Sequence, residues 1–138
     1  MKHLVRTLVC LVWIGVCGCD ADDASTTANA VRPDDLVGKW RLVRAGGESP
    51  AAMSIKSLLI DLLKDGTWTS DVEMQGQFAG MSMKGGGTWS LANNLITYTS
   101  GDNSGTSKVR LNGGVLVLDP DFSVRRGGKD EVIGEYRR

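Results

Sequence analysis

The chain has almost none of the side chains that carry acid–base, nucleophilic or metal chemistry. Its one histidine, His3, and its three cysteines, Cys10, Cys17 and Cys19, all lie before residue 20. Residues 20–138 therefore contain no His and no Cys, which excludes a His general base and a Cys/His zinc site from that part. The same stretch has no thiol with which to form a disulfide, so a folded domain there must be stabilised by its core alone.

The chain also lacks an excess of charge of either sign and a long apolar run. Sixteen Lys and Arg balance sixteen Asp and Glu, which argues against a surface built to attract nucleic acid or an anionic membrane. The apolar run near the N-terminus, residues 7–16, is too short to cross a bilayer. It follows the basic leader Lys2–Arg6, and this order of segments is typical of a secretory signal. We expect residues 1–18 to be a signal peptide and the protein to be exported.

The end of this signal, Val16-Cys17-Gly18-Cys19, resembles the bacterial lipobox. The resemblance implies cleavage before Cys19, a diacylglyceryl thioether on its sulfur and acylation, for example with palmitate, of the new N-terminus. Two or more acyl chains anchor a protein firmly, whereas one holds it weakly. We therefore expect a lipoprotein of the cell envelope, bound to the inner or the outer membrane and exposed on the periplasmic or extracytoplasmic side. The alternative is an ordinary signal peptide with incidental thiols.

Residues 20–35, DADDASTTANAVRPDD, follow directly. They are acidic and contain no aromatic residue, so they cannot bury enough apolar area to offset the entropy of ordering. Together with Cys19 they predict a disordered acidic tether over residues 19–35, followed by one domain over residues 36–138.

Alternation of apolar and polar residues dominates that domain. Trp40 and Leu42 share one face of a predicted strand, and Lys39 and Arg41 share the other; such alternation is typical of half-buried antiparallel strands. We expect an all-β, up-and-down barrel of about eight to nine short strands, because closure removes unpaired edges. The strands are predicted at 37–44, 56–63, 67–75, 77–84, 87–92, 95–100, 106–111, 115–119 and 131–137, with one or two helical turns at 49–58 and a glycine turn at 85–87.

Three Gly-x-Trp motifs fall in order along the domain, at 38–40, 66–68 and 87–89. With the basic residues that close the last predicted strand, they resemble the lipocalin superfamily, and more closely the short lipocalin-like domains of exported bacterial lipoproteins. The resemblance implies that Trp40 plugs the closed end of the barrel and that Arg137 or Arg138 stacks on it. The T-D-Y motif and the C-terminal helix of full lipocalins are absent.

The same resemblance implies a ligand cavity. We expect the barrel to bind a small apolar or amphipathic ligand, with Trp40, Trp68, Trp89, Tyr98 and Met74 as ligand-binding residues, and to be monomeric. The alternative is a structural or protein-interaction module with a filled barrel. The residues predicted to line the interior are Trp40, Leu42, Leu58, Ile60, Leu62, Trp68, Val72, Met74, Trp89, Ile96, Tyr98, Val109 and Leu111.

Two other clusters of residues could form functional sites. Asp71 and Glu73 form a carboxylate pair on one strand face, but that face is the polar one, so we expect a solvated surface. Met74, Met81 and Met83 could place three thioethers together, as a Cu(I) site requires, although Met more often fills gaps in small cores. We therefore predict no enzyme, no catalytic residue, no cofactor and no metal site.

Overall fold

The computed structural model describes residues 30–124 and 132–138. Eight antiparallel strands each pair with the next, and the last pairs with the first, which closes an up-and-down barrel. The predicted fold class is confirmed. The strands are β1 Gly38–Ala45, β2 Ile55–Leu62, β3 Thr67–Met74, β4 Ser82–Ala92, β5 Leu95–Ser100, β6 Asn103–Asn112, β7 Val115–Asp119 and β8 Gly134–Arg137, with one helical turn, α1 Pro33–Leu36, and 3-10 turns at Pro50–Met53 and Gly76–Phe78.

The predicted signal peptide, the lipidation site Cys19 and the tether as far as residue 29 lie outside the described residues, as does the basic stretch 125–131. Within residues 30–124 and 132–138, no helix is both long and apolar enough to cross a membrane.

The C-terminal part of the predicted tether is folded. Pro33 occupies the first turn of α1, where its fixed φ and missing N–H are tolerated. Arg32 and Asp35 close this turn through a side-chain ion pair of 3.0 Å, and Leu36 is fully buried in the core. The acidic composition of the segment pointed to disorder, but one buried leucine and a proline-initiated turn are enough to attach its last residues to the barrel.

The glycine turn predicted at 85–87 is wrong, and so is the division of this region into two strands. Ser82–Ala92 is one continuous strand, β4. Gly85 and Gly87 lie opposite Ser70 and Trp68 of β3. A Cβ at Gly87 would overlap the carbonyl oxygen of Thr99, and one at Gly85 would lie 2.7 Å from Ser70 Oγ. The glycines are therefore required by close packing within the barrel wall.

The core fills the barrel interior. Ten of the thirteen residues predicted to line it are buried, and Met74, Tyr98 and Leu111 are partly buried against it. The core also contains residues that alternation did not single out, most of them in the C-terminal half. These are Leu36, Ala45, Ile55, Leu116, Leu118, Phe122, Val124, Val132 and Tyr136.

The two ends of the barrel differ. The connections β2–β3, β4–β5 and β6–β7 lie at one end of the barrel. We call it the closed end, because α1 and these tight turns cover it. Val31, just before α1, donates its backbone N–H to Asn94 Oδ1 in the β4–β5 turn, so the chain enters the barrel at this end. The opposite end, the rim, carries the connections β1–β2, β3–β4, β5–β6 and β7–β8.

Candidate functional site

The closed end is sealed by Trp40. Its ring is 1% exposed, and its Nε1–H donates to the Leu36 carbonyl oxygen at 2.7 Å. The Cζ atom of Arg138 lies 4.7 Å from the ring centroid, within the range of a cation–π contact. Arg138 also donates to the carbonyl oxygens of Asp35 at 2.8 Å and Val37 at 3.1 Å. It therefore ties the C-terminus of β8 to the segment that precedes β1.

Arg137, the other residue expected near Trp40, points outward, because its neighbour Tyr136 is buried and successive residues of a strand face opposite ways. The structure places the cation–π contact with Trp40 at Arg138. A barrel-closing role for Trp40, Arg137 and Arg138 stays a prediction.

The other two tryptophans of the described residues, Trp68 and Trp89, are buried in the core and bond to the backbone. Trp89 Nε1 donates to the Leu63 carbonyl oxygen at 3.1 Å, and Trp68 Nε1 donates to the Thr99 carbonyl oxygen at 3.0 Å. The Trp68 ring lies beside Gly85, where a Cβ would be 3.7 Å from its nearest ring atom. Both indole N–H groups are thus satisfied within the protein and are not free to bind a ligand.

An aromatic cluster extends from Trp68 towards the rim. Phe122, in the segment after β7, packs edge-on against Trp68 at 5.1 Å between ring centroids and stacks on Tyr98 at 4.6 Å. Such pairs are favourable beyond the area they bury. Phe122 therefore occupies part of the interior that a ligand would otherwise fill.

A buried polar network holds Phe122 in place. The Tyr136 hydroxyl donates to Asp121 Oδ2 at 2.5 Å, while the backbone N–H and Oγ of Ser123 each donate to Asp121 Oδ1 at 2.8 Å. Gly134 lies against the carboxyl group, and a Cβ there would overlap it. Asp121 is 4% exposed and Tyr136 is fully buried.

Burial raises the pKa of the Asp121 carboxyl, and the hydrogen bonds from Tyr136 and Ser123 act in the opposite direction. Burial, followed by the nearby Asp121 charge, raises the pKa of the Tyr136 hydroxyl well above its usual range. Within residues 30–124 and 132–138, every buried side-chain nitrogen or oxygen has a hydrogen-bond partner. The network is thus complete in itself, and its groups serve to fix the segment that carries Phe122.

The rim carries one inward-facing apolar side chain that remains exposed, Met83, and a second exposed methionine, Met81, directly before β4. Met83 lies directly opposite the buried Val72, and opposite residues of a ladder share a face; Met83 is nevertheless 51% exposed and Met81 55% exposed. Met74 is partly buried and donates its backbone N–H to the Met81 carbonyl oxygen. The three methionines of the copper hypothesis therefore share one part of the rim, and Cu(I) binding there stays a prediction.

β4 extends further towards this part of the rim than β5 does. β4 and β5 pair from Ala92↔Leu95 up to Thr88↔Thr99, and because β5 ends at Ser100, residues 82–87 of β4 pair with β3 alone. A groove of about 220 Å³ borders the same rim, lined by Lys56, Glu73, Met74, Gly80, Met81 and Ser82. Lys56 and Glu73 form an ion pair of 3.0 Å on the outer edge of this groove. A second groove, of about 400 Å³, lies at the closed end beside Trp40 and Arg138.

The structure thus divides the five predicted ligand-binding residues. Trp40 and Trp89 belong to the core, Trp68 and Tyr98 surround Phe122, and Met74 lies at the rim. Sequence reasoning missed Phe122, Asp121 and Tyr136 as one unit. The alternation of β8 could have placed Tyr136 inside, but no local pattern marks Asp121 as buried.

No protein-family model and no curated protein matches this sequence. Among solved structures, the chain is similar to the crystal structure of the wild-type fluorescent protein UnaG, with a TM-score of 0.39 and 15% sequence identity. The alignment covers 78% of this chain and 99% of that one. The class of the protein, a small closed antiparallel barrel with almost no helix, follows from its own strand order and registers.

Proposed function

We propose that this protein is a non-catalytic, membrane-anchored lipoprotein of the bacterial envelope that binds a small apolar or amphipathic molecule at the rim of its barrel. The observation that carries the binding proposal is Met83, which lies on the inner face of β4 opposite Val72 and is nevertheless half-exposed, together with the half-exposed Met81 directly before the strand. Inward-facing apolar side chains are normally covered, and exposed apolar clusters mark binding surfaces. A flexible Met-rich surface also adapts to ligands of different shape.

The polar groups of the interior are already hydrogen-bonded within the protein, which favours an apolar ligand. The indole N–H groups of Trp40, Trp68 and Trp89 all donate to backbone carbonyls, and the carboxyl group of Asp121 has its donors in place. A ligand at the rim would therefore gain little from hydrogen bonds to the interior. Its affinity would come from contact with Met74, Met81, Met83 and the edge of the aromatic cluster.

The position of the chain entry supports the anchoring proposal. Residues 30–36 reach the barrel at its closed end, so a lipid on Cys19 would leave the rim free to receive a ligand. The lipobox-like Val16–Cys19 is the feature on which the anchor itself depends.

A structural or protein-interaction module is the second candidate, and the filled interior favours it. Three buried tryptophans and Phe122 occupy space that a deep cavity would need. In that case the rim would contact another protein instead of a small molecule.

Titration with the neutral, environment-sensitive dye Nile red tests rim binding. Met83→Gln should weaken saturable dye binding by about tenfold, because it removes the burial of part of one apolar side chain. Leu63→Gln is the matched control: Leu63 is 38% exposed at the closed end, and its replacement should leave the affinity unchanged. Equal effects of the two substitutions, or no saturable binding by the unchanged protein, would favour the interaction module.

A further inference from the structure

The outer wall near the closed end carries two arginines in direct opposition. Arg41 of β1 pairs in register with Arg137 of β8, and their neighbours Leu42 and Tyr136 are buried, so both arginines point outward. Like charges directly opposite each other on one face destabilise a sheet. A local arrangement that costs stability without compensation is a mark of functional sites.

Neither arginine forms an ion pair within 4.0 Å with a described carboxylate, although Asp34 and Asp35 border the same groove as Arg137. The ion pairs among residues 30–124 and 132–138 are Arg32–Asp35, Lys56–Glu73 and Lys84–Asp71. Lys39, two residues before Arg41 and on the same face, also forms none within 4.0 Å there, although Asp61 lies opposite it in register. We call Lys39, Arg41 and Arg137 the basic patch.

The apolar neighbours of the basic patch give it an amphipathic character. Leu59 of β2 lies opposite Arg41 on one side, and Val115 of β7 lies opposite Arg137 on the other. Both are partly exposed. The row across four strands therefore has two cations flanked by two aliphatic side chains, on the convex outer face of a barrel. The groove that Arg137 borders also contains the carboxylates of Asp34 and Asp35, which disfavour a small anion there. The convex remainder of this face can lie against an extended anionic surface.

We infer that the basic patch docks the barrel on the anionic lipid headgroups of the membrane to which the protein is anchored. This inference rests on the proposed anchor at Cys19 for its biological setting. The fourteen-residue step from Cys19 to Pro33 spans at most about 50 Å when extended, so the tether permits contact without enforcing it. The charge of the patch then determines which wall faces the bilayer, because basic residues near an anionic leaflet are attracted to it.

Vesicle co-sedimentation at low salt tests this docking. The full chain carrying Cys19→Ser would be compared on vesicles of phosphatidylcholine alone and of phosphatidylcholine with phosphatidylglycerol. The double variant Arg41→Gln/Arg137→Gln should bind the anionic vesicles about 30-fold more weakly, from about fivefold per basic residue. Binding to the neutral vesicles, to which the apolar run at residues 7–16 contributes equally in every variant, should not change.

The matched control is Lys56→Gln/Lys84→Gln, which removes the same charge from two lysines that already have carboxylate partners. It should retain most of the affinity; an equal loss would mean that net charge alone governs binding and would overturn the inference. Inorganic phosphate should compete no better than chloride at equal ionic strength. A loss of binding specific to phosphate would instead identify a small-anion site.

Thermal unfolding separates docking from folding. Because the arginine pair is repulsive, Arg41→Gln/Arg137→Gln should be at least as stable as the unchanged protein, so weaker vesicle binding could not be ascribed to unfolding. Attachment of labelled palmitate to Cys19 in the unsubstituted protein is a separate readout. A lipidated protein with no preference for anionic vesicles would overturn the docking inference alone, and an unlipidated one with that preference would overturn only the anchor.

Discussion

Replacement of Tyr136 by Phe removes one hydroxyl from the buried network and leaves the ring in place. That hydroxyl is the donor to Asp121 Oδ2, whereas Oδ1 keeps the two donors from Ser123. A hydrogen bond to a charged group contributes about 1.5–3 kcal/mol, and an unsatisfied buried acceptor carries a similar penalty. We expect Tyr136→Phe to lower the free energy of unfolding at about pH 7 by about 2–3 kcal/mol.

The size of this effect should depend on pH. Burial raises the pKa of Asp121, so the stability that this group contributes is fully present below the ordinary Asp pKa and is lost as the pH rises through the raised value. Tyr136 opposes the shift, because its hydrogen bond favours the carboxylate. Its removal raises the pKa of Asp121 further and increases the loss at neutral pH. Where the carboxyl is protonated, the deleted bond is a neutral one and should cost only about 0.5–1.5 kcal/mol.

Urea unfolding monitored by tryptophan fluorescence measures both quantities at about pH 3, below the ordinary Asp pKa of about 3.9, and at about pH 7, well above it. The matched control is Tyr98→Phe, since Tyr98 is the only other tyrosine of the chain and its ring, which stacks on Phe122, is retained. It should change stability by less than about 0.5 kcal/mol. Equal costs for the two substitutions, or a cost of Tyr136→Phe that does not grow with pH, would refute this account of the network.

Two further substitutions test the closed end and the barrel wall. Arg138→Gln should lower the free energy of unfolding by about 1–2 kcal/mol, because it removes the cation over Trp40 and weakens the hydrogen bonds to Asp35 and Val37. Thermal unfolding measures this loss, with Arg137→Gln as the control. Equal shifts of the two melting temperatures would contradict the closing role of Arg138. Gly87→Ala should cost about 1–3 kcal/mol, because its Cβ must displace the backbone of β5 at Thr99. In the same assay Gly47→Ala meets no atom within 4 Å but has a φ of +80°, so it should cost about 1–2 kcal/mol from backbone strain alone. A smaller loss for Gly87→Ala than for Gly47→Ala would be inconsistent with the packing described.

Much of the barrel could be predicted because each half-buried strand carries its own alternation. Trp40, Trp68 and Trp89 were placed inside by their neighbours alone, and the tight turns between strands set the meander. Gly85–Gly87 was misinterpreted because a glycine triplet has the same composition in a turn and in a strand. Side chains are excluded there by Ser70 Oγ, the Trp68 carbonyl oxygen and the β5 backbone at Thr99, which come close to these glycines only in the folded barrel.

The polar part of the candidate site could not be predicted for a similar reason. Asp121 follows a proline in a segment without alternation, and its burial depends on Tyr136 and Gly134 of a later strand. The exposure of the rim could not be predicted either. Met81 and Met83 follow the same alternation as core residues, and they differ only in lying beyond the residues where β4 and β5 pair. Both features are products of tertiary contact.

The most direct test of the proposed function is native mass spectrometry of the protein extracted from membranes of the cells that make it. The account predicts a chain that begins at Cys19, carries acyl groups, and retains a small apolar or amphipathic molecule that Met83→Gln releases. A chain cleaved at another site without acyl groups, together with no bound molecule in any preparation, would contradict it.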